Sequence, residues 1–269
     1  MKIQEIASFK YPYHNLLGIG ERIKRKCIYK YMPISTAEQC LRNNNIRFQE
    51  PSQWKDPFER LYYTAIYNNV MPDPAFDTRI YACCFTSNKD CEAAWHMYTD
   101  NIDENPCVEF KIHLGQFRKF AEKQARNVDG SLYEGCVNYQ LKDDEILHLY
   151  RKTNPKYRLF FQNFNKTKYL NLLLMKRKFF QYEGEIRYII QSPLFDFAKS
   201  FYYVTIPWSL CLYSVTLPPN CSKDIKKRID YALKDNYNLC RRDFPLYFPA
   251  KVPILENTLE APLTQIVIE

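Results

Sequence analysis

Short apolar runs alternate along this chain with amphipathic stretches, and no longer repeat is present. Residues 27–31 (CIYKY) predict a strand, and residues 33–45 (PISTAEQCLRNNN) a helix with Ser35 as N-cap and Glu38 three positions on. Residues 46–51 (IRFQEP) form a second strand stopped by Pro51, and residues 52–69 open as a loop that becomes helical after Pro57. IYACCFTS (80–87) reads as a buried strand, CEAAWHMYTDN (91–101) as a helix, PCVEFKI (106–112) as a strand and LGQFRKFAEKQARN (114–127) as a helix. EGCVNYQL (134–141) follows as a strand, then two helices at 143–152 and 157–180. Beyond these come strands at 201–206 and 210–217, a helix at 221–237 and a Pro-interrupted edge strand at 245–256.

This irregular alternation, without a low-complexity linker, predicts a single α+β domain with a central mixed or split sheet flanked by helices. Residues 1–26 form an N-terminal extension, 27–190 a core and 191–269 the rest of the same domain. Any internal boundary falls near Ser192.

Between the long helix and the later strands lies QYEGEIRYII (181–190), rich in strand-forming residues yet carrying two glutamates on either side of a glycine. Read as one strand, it places Glu183, Glu185 and Arg187 on one side and Tyr182, Ile186 and Tyr188 on the other. The two carboxylates then stand roughly 7 Å apart along the ribbon. Such a pair forms either a solvated sheet edge or a site.

Composition narrows the options. Only six glycines are present, GIG at 18–20 lacks the third glycine of a dinucleotide fingerprint, and no Walker-type loop occurs. A nucleotide must therefore be held without a glycine-rich cradle. The 22 Tyr and 18 Phe supply ring surface that fills cores and also stacks on bases and nicotinamide-type rings. A net charge of +8 tilts the partner toward nucleic acid or another polyanion. The ten cysteines form no C-x-x-C pair and the first residues carry no signal-like apolar run, so reduced thiols in a cytoplasmic protein are expected. No run approaches a membrane span, and no membrane partner is expected. The histidines (His14, His96, His113, His148) are scattered, so no metal site is expected.

Four segments combine polar and aromatic residues: YKY (29–31), WKDPFE (54–59), CFTS with AAWHMY (84–98) and YEGEIR (182–187). In that order they resemble an uncharacterised bacterial family, domain of unknown function two-nine-seven-one, over Cys27 to Ile190. That family's layout looks like a divergent ADP-ribosyltransferase fold. The resemblance implies NAD as substrate, Glu185 as catalytic glutamate and Glu183 as its partner. It also implies a second-strand hydroxyl at Ser87 or Thr86 and a first-strand position at Lys30 and Tyr31, where the family norm is Arg or His. Trp95 and Tyr98 would contact the nicotinamide, Asp56 or Glu59 a ribose or the acceptor, and Arg187 with the run Lys176, Arg177 and Lys178 the substrate. Relatives of that broad superfamily serve as toxins in defence against phage, which brings in an antitoxin protein as partner.

The chemistry has its own logic. Breaking the nicotinamide–ribose bond builds positive charge on the sugar, and an ionised carboxylate in a dry site steadies it. A second carboxylate can orient or deprotonate the acceptor. Structural roles stand beside each assignment. Asp56 suits a turn before Pro57 with Trp54 and Phe58 as anchors, and Trp95 and Tyr98 share a helix face as a core stripe would. His96 points elsewhere, as a surface residue would. Two rival functions remain: a non-catalytic nucleic-acid- or protein-binding module, and a metal-dependent nuclease using Asp56, Glu59, Glu183 and Glu185.

Overall fold

The computed structural model describes residues 26–60, 79–89, 91–101, 103–139, 170, 173–196, 198–219, 221–243 and 252–256. These fall into two compact units, each assembled from separated stretches of chain. The first takes Arg47–Cys84 and Glu122–Tyr203; the second takes Arg25–Ile46, Phe85–Ala121 and Val204–Glu269. Helices and strands are mixed throughout, as the α+β expectation holds.

In the first unit the strand order is β5 (Ser131–Cys136), β6 (Glu185–Ser192), β3 (Arg79–Thr86), β2 (Asn45–Gln49) and β7 (Phe201–Thr205). β5 and β6 run antiparallel over six residue pairs, from Ser131 opposite Gln191 to Cys136 opposite Ile186. Every residue of β6 is buried, which makes it a central strand covered on both faces. Arg79 and Glu50 form a half-buried ion pair at 2.7 Å, and the Tyr81 hydroxyl donates to Lys199 O, so the start of β3 is fastened to its neighbours.

The second unit carries a mixed sheet. β1 (Cys27–Pro33) pairs antiparallel with β4 (Cys107–His113), β4 antiparallel with β8 (Leu212–Leu217), and β8 parallel with the edge strand β9 (Ile254–Glu256). Helix α1 (Ile34–Asn43) buries Ile34, Ala37, Cys40 and Leu41, a spacing that puts one face inward. Helices α2 (Glu92–Met97), α3 (Leu114–Arg126), α4 (Trp208–Cys211) and α5 (Lys223–Asp243) complete the list of described helices, α3 crossing from the second unit into the first. α5 turns Ile225, Ile229, Ala232, Leu233, Asn236 and Cys240 inward.

Several sequence expectations change. Ser35 is not an N-cap: Pro33 holds that position and has no side chain that can cap the helix. Instead the free N–H groups of Ile34 and Ser35 donate to Pro106 O and Asn105 Oδ1, so a distant loop does the capping. Glu38 pairs with Arg228 at 2.7 Å. Residues 181–190 are not one strand, because residues 178–183 form a 3-10 helix and β6 begins at Glu185. The strand expected at 134–141 starts earlier, at Ser131, and the run from Leu210 opens as the end of α4. The helices expected at 143–152 and over most of 157–180 lie outside the described residues, and Lys178–Phe180 belongs to the 3-10 helix. All ten cysteines are free thiols. Among the described residues no helix is long and apolar enough to cross a membrane.

A polar knot ties α1, α4 and α5 together. Asn236 is fully buried; its Oδ1 accepts from Ser209 N–H and Oγ, and its Nδ2 donates to Leu41 O and Asn44 Oδ1. Asn44 itself adopts the left-handed conformation that ends α1. Truncating Asn236 leaves several buried groups without partners, each costing about 1–3 kcal/mol. Asn236→Ala is therefore expected to lower stability by about 3 kcal/mol in urea titration; a loss under about 1 kcal/mol would contradict this role.

Candidate active site

The first unit gathers seven charged residues that the sequence singled out: Asp56, Glu59, Lys176, Arg177, Glu183, Glu185 and Arg187. β6 supplies Glu185 and Arg187 two positions apart, hence on one face of the strand. Arg187 grips Glu185 with two bonds, Nε to Oε1 at 2.8 Å and Nη2 to Oε2 at 3.0 Å. The same Nη2 donates to Glu59 Oε1, and Nη1 donates to the carbonyl of Leu173. The guanidinium lies 4.1 Å from the ring centroid of Trp54. With 1% of its side chain exposed, Arg187 is a buried cation whose donors are spent on protein acceptors.

Glu183 reaches the cluster by another route than strand alternation. It ends the 3-10 helix, and Gly184 follows in the left-handed conformation (φ 50°, ψ 42°) before β6 begins. A side chain is strained there, which gives the glycine between the two glutamates its physical reason. The turn brings both carboxylates to one ammonium: Lys176 Nζ lies 2.5 Å from Glu183 Oε2 and 3.2 Å from Glu185 Oε2, with Glu59 Oε2 at 3.9 Å.

Lys176 is itself placed by a close approach. Gly135 on β5 sits opposite Arg187, and a Cβ there would overlap the Leu174 side chain. Leu174 fills that space while its carbonyl accepts from Asn138 N–H and Lys176 N–H donates to Asn138 O. Residues 174–176 are thus bridged to Asn138, just past β5, with Leu173 O and Lys176 Nζ both bonded into the cluster.

These contacts set the protonation states. Burial works to raise the Glu185 carboxyl, but Arg187 and Lys176 outweigh it and hold it down at about 2, with a bond from Cys84 assisting. Glu59 and Glu183 move the other way: burial raises both, and the cations they share with Glu185 only partly oppose it. Lys176 stays charged despite burial because three carboxylates surround it. Glu185 is accordingly held as the anion of the group, while burial leaves Glu183 and Glu59 with a raised affinity for protons. Glu183 is also more open than Glu185, with 16% of its side chain exposed against 6%.

Around this centre, Asp56 accepts the Phe58 N–H and pairs with Arg177 at 3.2 Å, and Arg177 lies over the Phe58 and Phe180 rings. The expected turn at Asp56–Pro57 is present, with Trp54 and Phe58 stacked on arginines of the site. Lys178 is exposed. Sequence reading missed Tyr139, whose hydroxyl accepts the Glu185 N–H at 2.9 Å and whose ionisation is suppressed by burial and by Glu185. It also missed Cys84 and the Leu173 carbonyl; nothing in the local sequence marks them.

The remaining candidates belong to the second unit. Lys30 Nζ lies 5.6 Å from the Phe85 ring centroid. Tyr31 is buried and donates to Glu109 Oε2 at 2.5 Å while accepting the Cys91 N–H; Glu109 also accepts from Thr216. Trp95 packs edge-on against Tyr31 at 5.5 Å and is 9% exposed, whereas Tyr98 is 38% exposed. Thr86 Oγ1 accepts the Asn88 N–H, and Ser87 Oγ contacts Asn88 Oδ1 at 3.2 Å. Among the described residues no group of three or more His, Cys, Asp or Glu is placed to hold a metal ion.

No protein-family model matches the chain, and no curated protein matches it in sequence. Two solved structures are similar to it: Thermus sp. 2.9 DarT in complex with ADP-ribosylated ssDNA, and the same protein in complex with NAD+. The first has 9% identity and a TM-score of 0.33 over 87% of this chain and 95% of that one. The second has 8% identity and the same score over 87% and 96%. A TM-score of that size lies below what a shared fold requires.

Removing one charge from this network leaves its partners buried and unbalanced, which costs about 3–5 kcal/mol. Glu185→Gln is expected to lose about 3 kcal/mol at pH 7. The native carboxyl sits below its ordinary 4.5, so its stabilisation is fully present above that pH and disappears as pH falls toward about 2. Urea unfolding should therefore show the gap between wild type and variant narrowing from pH 5 to pH 2.5; a gap independent of pH would refute the ion-pair account.

Proposed function

We propose that this chain is an NAD-consuming ADP-ribosyltransferase that modifies a macromolecule, with Glu185 and Glu183 as its catalytic pair. The observation that carries the reading is the buried Glu185 joined through one ammonium, at 3.2 and 2.5 Å, to a more open Glu183. In the reaction the ribose–nicotinamide bond breaks and its electron pair leaves with the ring, already cationic, as neutral nicotinamide. Glu185 steadies the positive charge left on the sugar. The acceptor then bonds to the same carbon while Glu183 takes its proton, a task suited to a carboxyl whose proton affinity burial raises. Arg187 and Lys176, both also paired with Glu59, hold Glu185 in place, and Tyr139 fixes its backbone.

Exposed Lys178, beside Arg177, is a candidate for the NAD pyrophosphate or an anionic acceptor, and the net charge of +8 favours nucleic acid as that acceptor. Recognition of NAD by Lys30, Tyr31, Thr86 and Ser87 is the part that the family resemblance alone supplies, and the stacking capacity of aromatic rings supports Trp95 and Tyr98 for the nicotinamide. The same resemblance supports a toxin of anti-phage defence restrained by an antitoxin protein.

A second reading has its own support. Both oxygens of Glu185 are bonded, and only 6% of its side chain is exposed, as in a structural ion cluster of a binding module. The nuclease reading loses ground, because Lys176, Arg177 and Arg187 stand among its four acids where a metal would have to sit.

Labelled NAD incubated with the protein and cell extract separates these readings. Wild type is expected to transfer label. Glu183→Gln should keep its fold by circular dichroism and still release nicotinamide, while transfer drops by about 100-fold or more. Wild type that consumes no NAD, or transfer unchanged in Glu183→Gln and Glu185→Asp, would leave the cluster a structural clamp.

A further inference from the structure

Helix α5 of the second unit is 21 residues long, about 30 Å from end to end. Its apolar positions, Ile225, Ile229 and Leu233 among them, are turned inward against α1 and α4. The outward face carries Lys223, Lys226, Lys227, Lys234, Arg241 and Arg242, all exposed. Over the whole helix seven Lys and Arg stand against four Asp. Each Asp leans on a neighbouring cation: Asp224 on Lys227 at 3.6 Å, Asp230 on Lys234 at 2.6 Å, Asp235 on Arg42 at 3.6 Å and Asp243 on Arg242 at 2.6 Å. Exposed pairs of this kind are weak in water, so an arriving polyanion competes for the same cations.

Two features make this face more than a solvated helix side. Tyr231 stands 60% exposed in the middle of it, with Lys234 Nζ 5.6 Å from its ring centroid, a basic and aromatic pairing suited to a nucleotide. At the C-terminal end, Arg42 of α1 joins Asp235, Asn238, Leu239 and Arg242 around an open cleft of about 460 Å³. Two arginines lining such a cleft bring guanidinium groups suited to bidentate bonds with phosphate oxygens.

We propose that the outer face of α5, together with Arg42, docks the phosphate backbone of a nucleic acid. An anionic membrane is the poorer occupant, because a helix lying in a bilayer surface needs an exposed apolar stripe and the apolar stripe of α5 is buried. Contact is sequence-independent, since the face offers cations and one ring rather than a set of base-reading groups. The proposal is independent of the transfer chemistry, and its test contains no NAD.

The test uses the full chain and a fluorescein-labelled single-stranded DNA of mixed sequence, about 30 nucleotides long, with anisotropy followed from roughly 50 to 200 mM salt. Lys227→Glu/Lys234→Glu/Arg241→Glu is expected to bind at least about tenfold more weakly, and its log–log salt slope to fall by about 2, near 0.7 for each lost contact. Lys227→Gln/Lys234→Gln/Arg241→Gln should show the same direction with a smaller loss, which covers the case where charge reversal disturbs folding. Lys199→Glu, an exposed lysine of the first unit, should bind like wild type. Equal binding by wild type and the glutamine variant, an equal loss in Lys199→Glu, or capture by phosphatidylserine vesicles but not by DNA would overturn the proposal.

Discussion

Burying a guanidinium is expensive unless each of its donors finds an acceptor, and Arg187 meets that condition with groups drawn from several parts of the chain. Glu185 comes from its own strand, Glu59 from the turn after Asp56, the Leu173 carbonyl from the segment against β5, and the ring of Trp54 covers its face. Those segments are far apart in sequence, so this one residue explains why they converge. Lys176 repeats the logic with the same carboxylates and adds Glu183. The difference among the acids follows from the geometry: Arg187 and Lys176 hold the best-bonded carboxyl, Glu185, low, while burial raises Glu59 and Glu183, which have a smaller share of the cations.

The second unit solves a related problem with neutral donors. Tyr31, Glu109 and Thr216 face one another across three adjacent strands, Tyr31 opposite Glu109 and Glu109 opposite Thr216. Two hydroxyl groups thereby satisfy a carboxylate that is 1% exposed. A tyrosine in that ladder is held by its hydrogen bond and by the edge-on contact with Trp95, so its position in the core is fixed from both ends.

Much of the architecture was readable because apolar spacing is a local property. β1, β3, β4, α1, α3 and α5 lie close to where alternation or helical spacing put them. Failures came where a distant or special backbone decided the outcome. Ser35 lost its capping role because Asn105 and Pro106 reach the helix start first. Glu183 left the strand because Gly184 takes a left-handed turn that strand propensities do not register. In the site, the acids and bases were recognisable as residue types. Which acid pairs with which cation was not, since Arg177 meets Asp56 across 121 positions and Arg187 meets Glu59 across 128.

Gly135 marks where packing meets this charge arrangement. It lies directly across from Arg187, and the hydrogen atom it carries in place of a side chain is what admits Leu174. Even one methyl group would overlap the tip of the Leu174 side chain, two residues before Lys176, and force that side chain to repack. The bareness of one strand thus makes room for the side chain of the segment that carries Lys176, so the shape of β5 and the charged group beside it share one boundary.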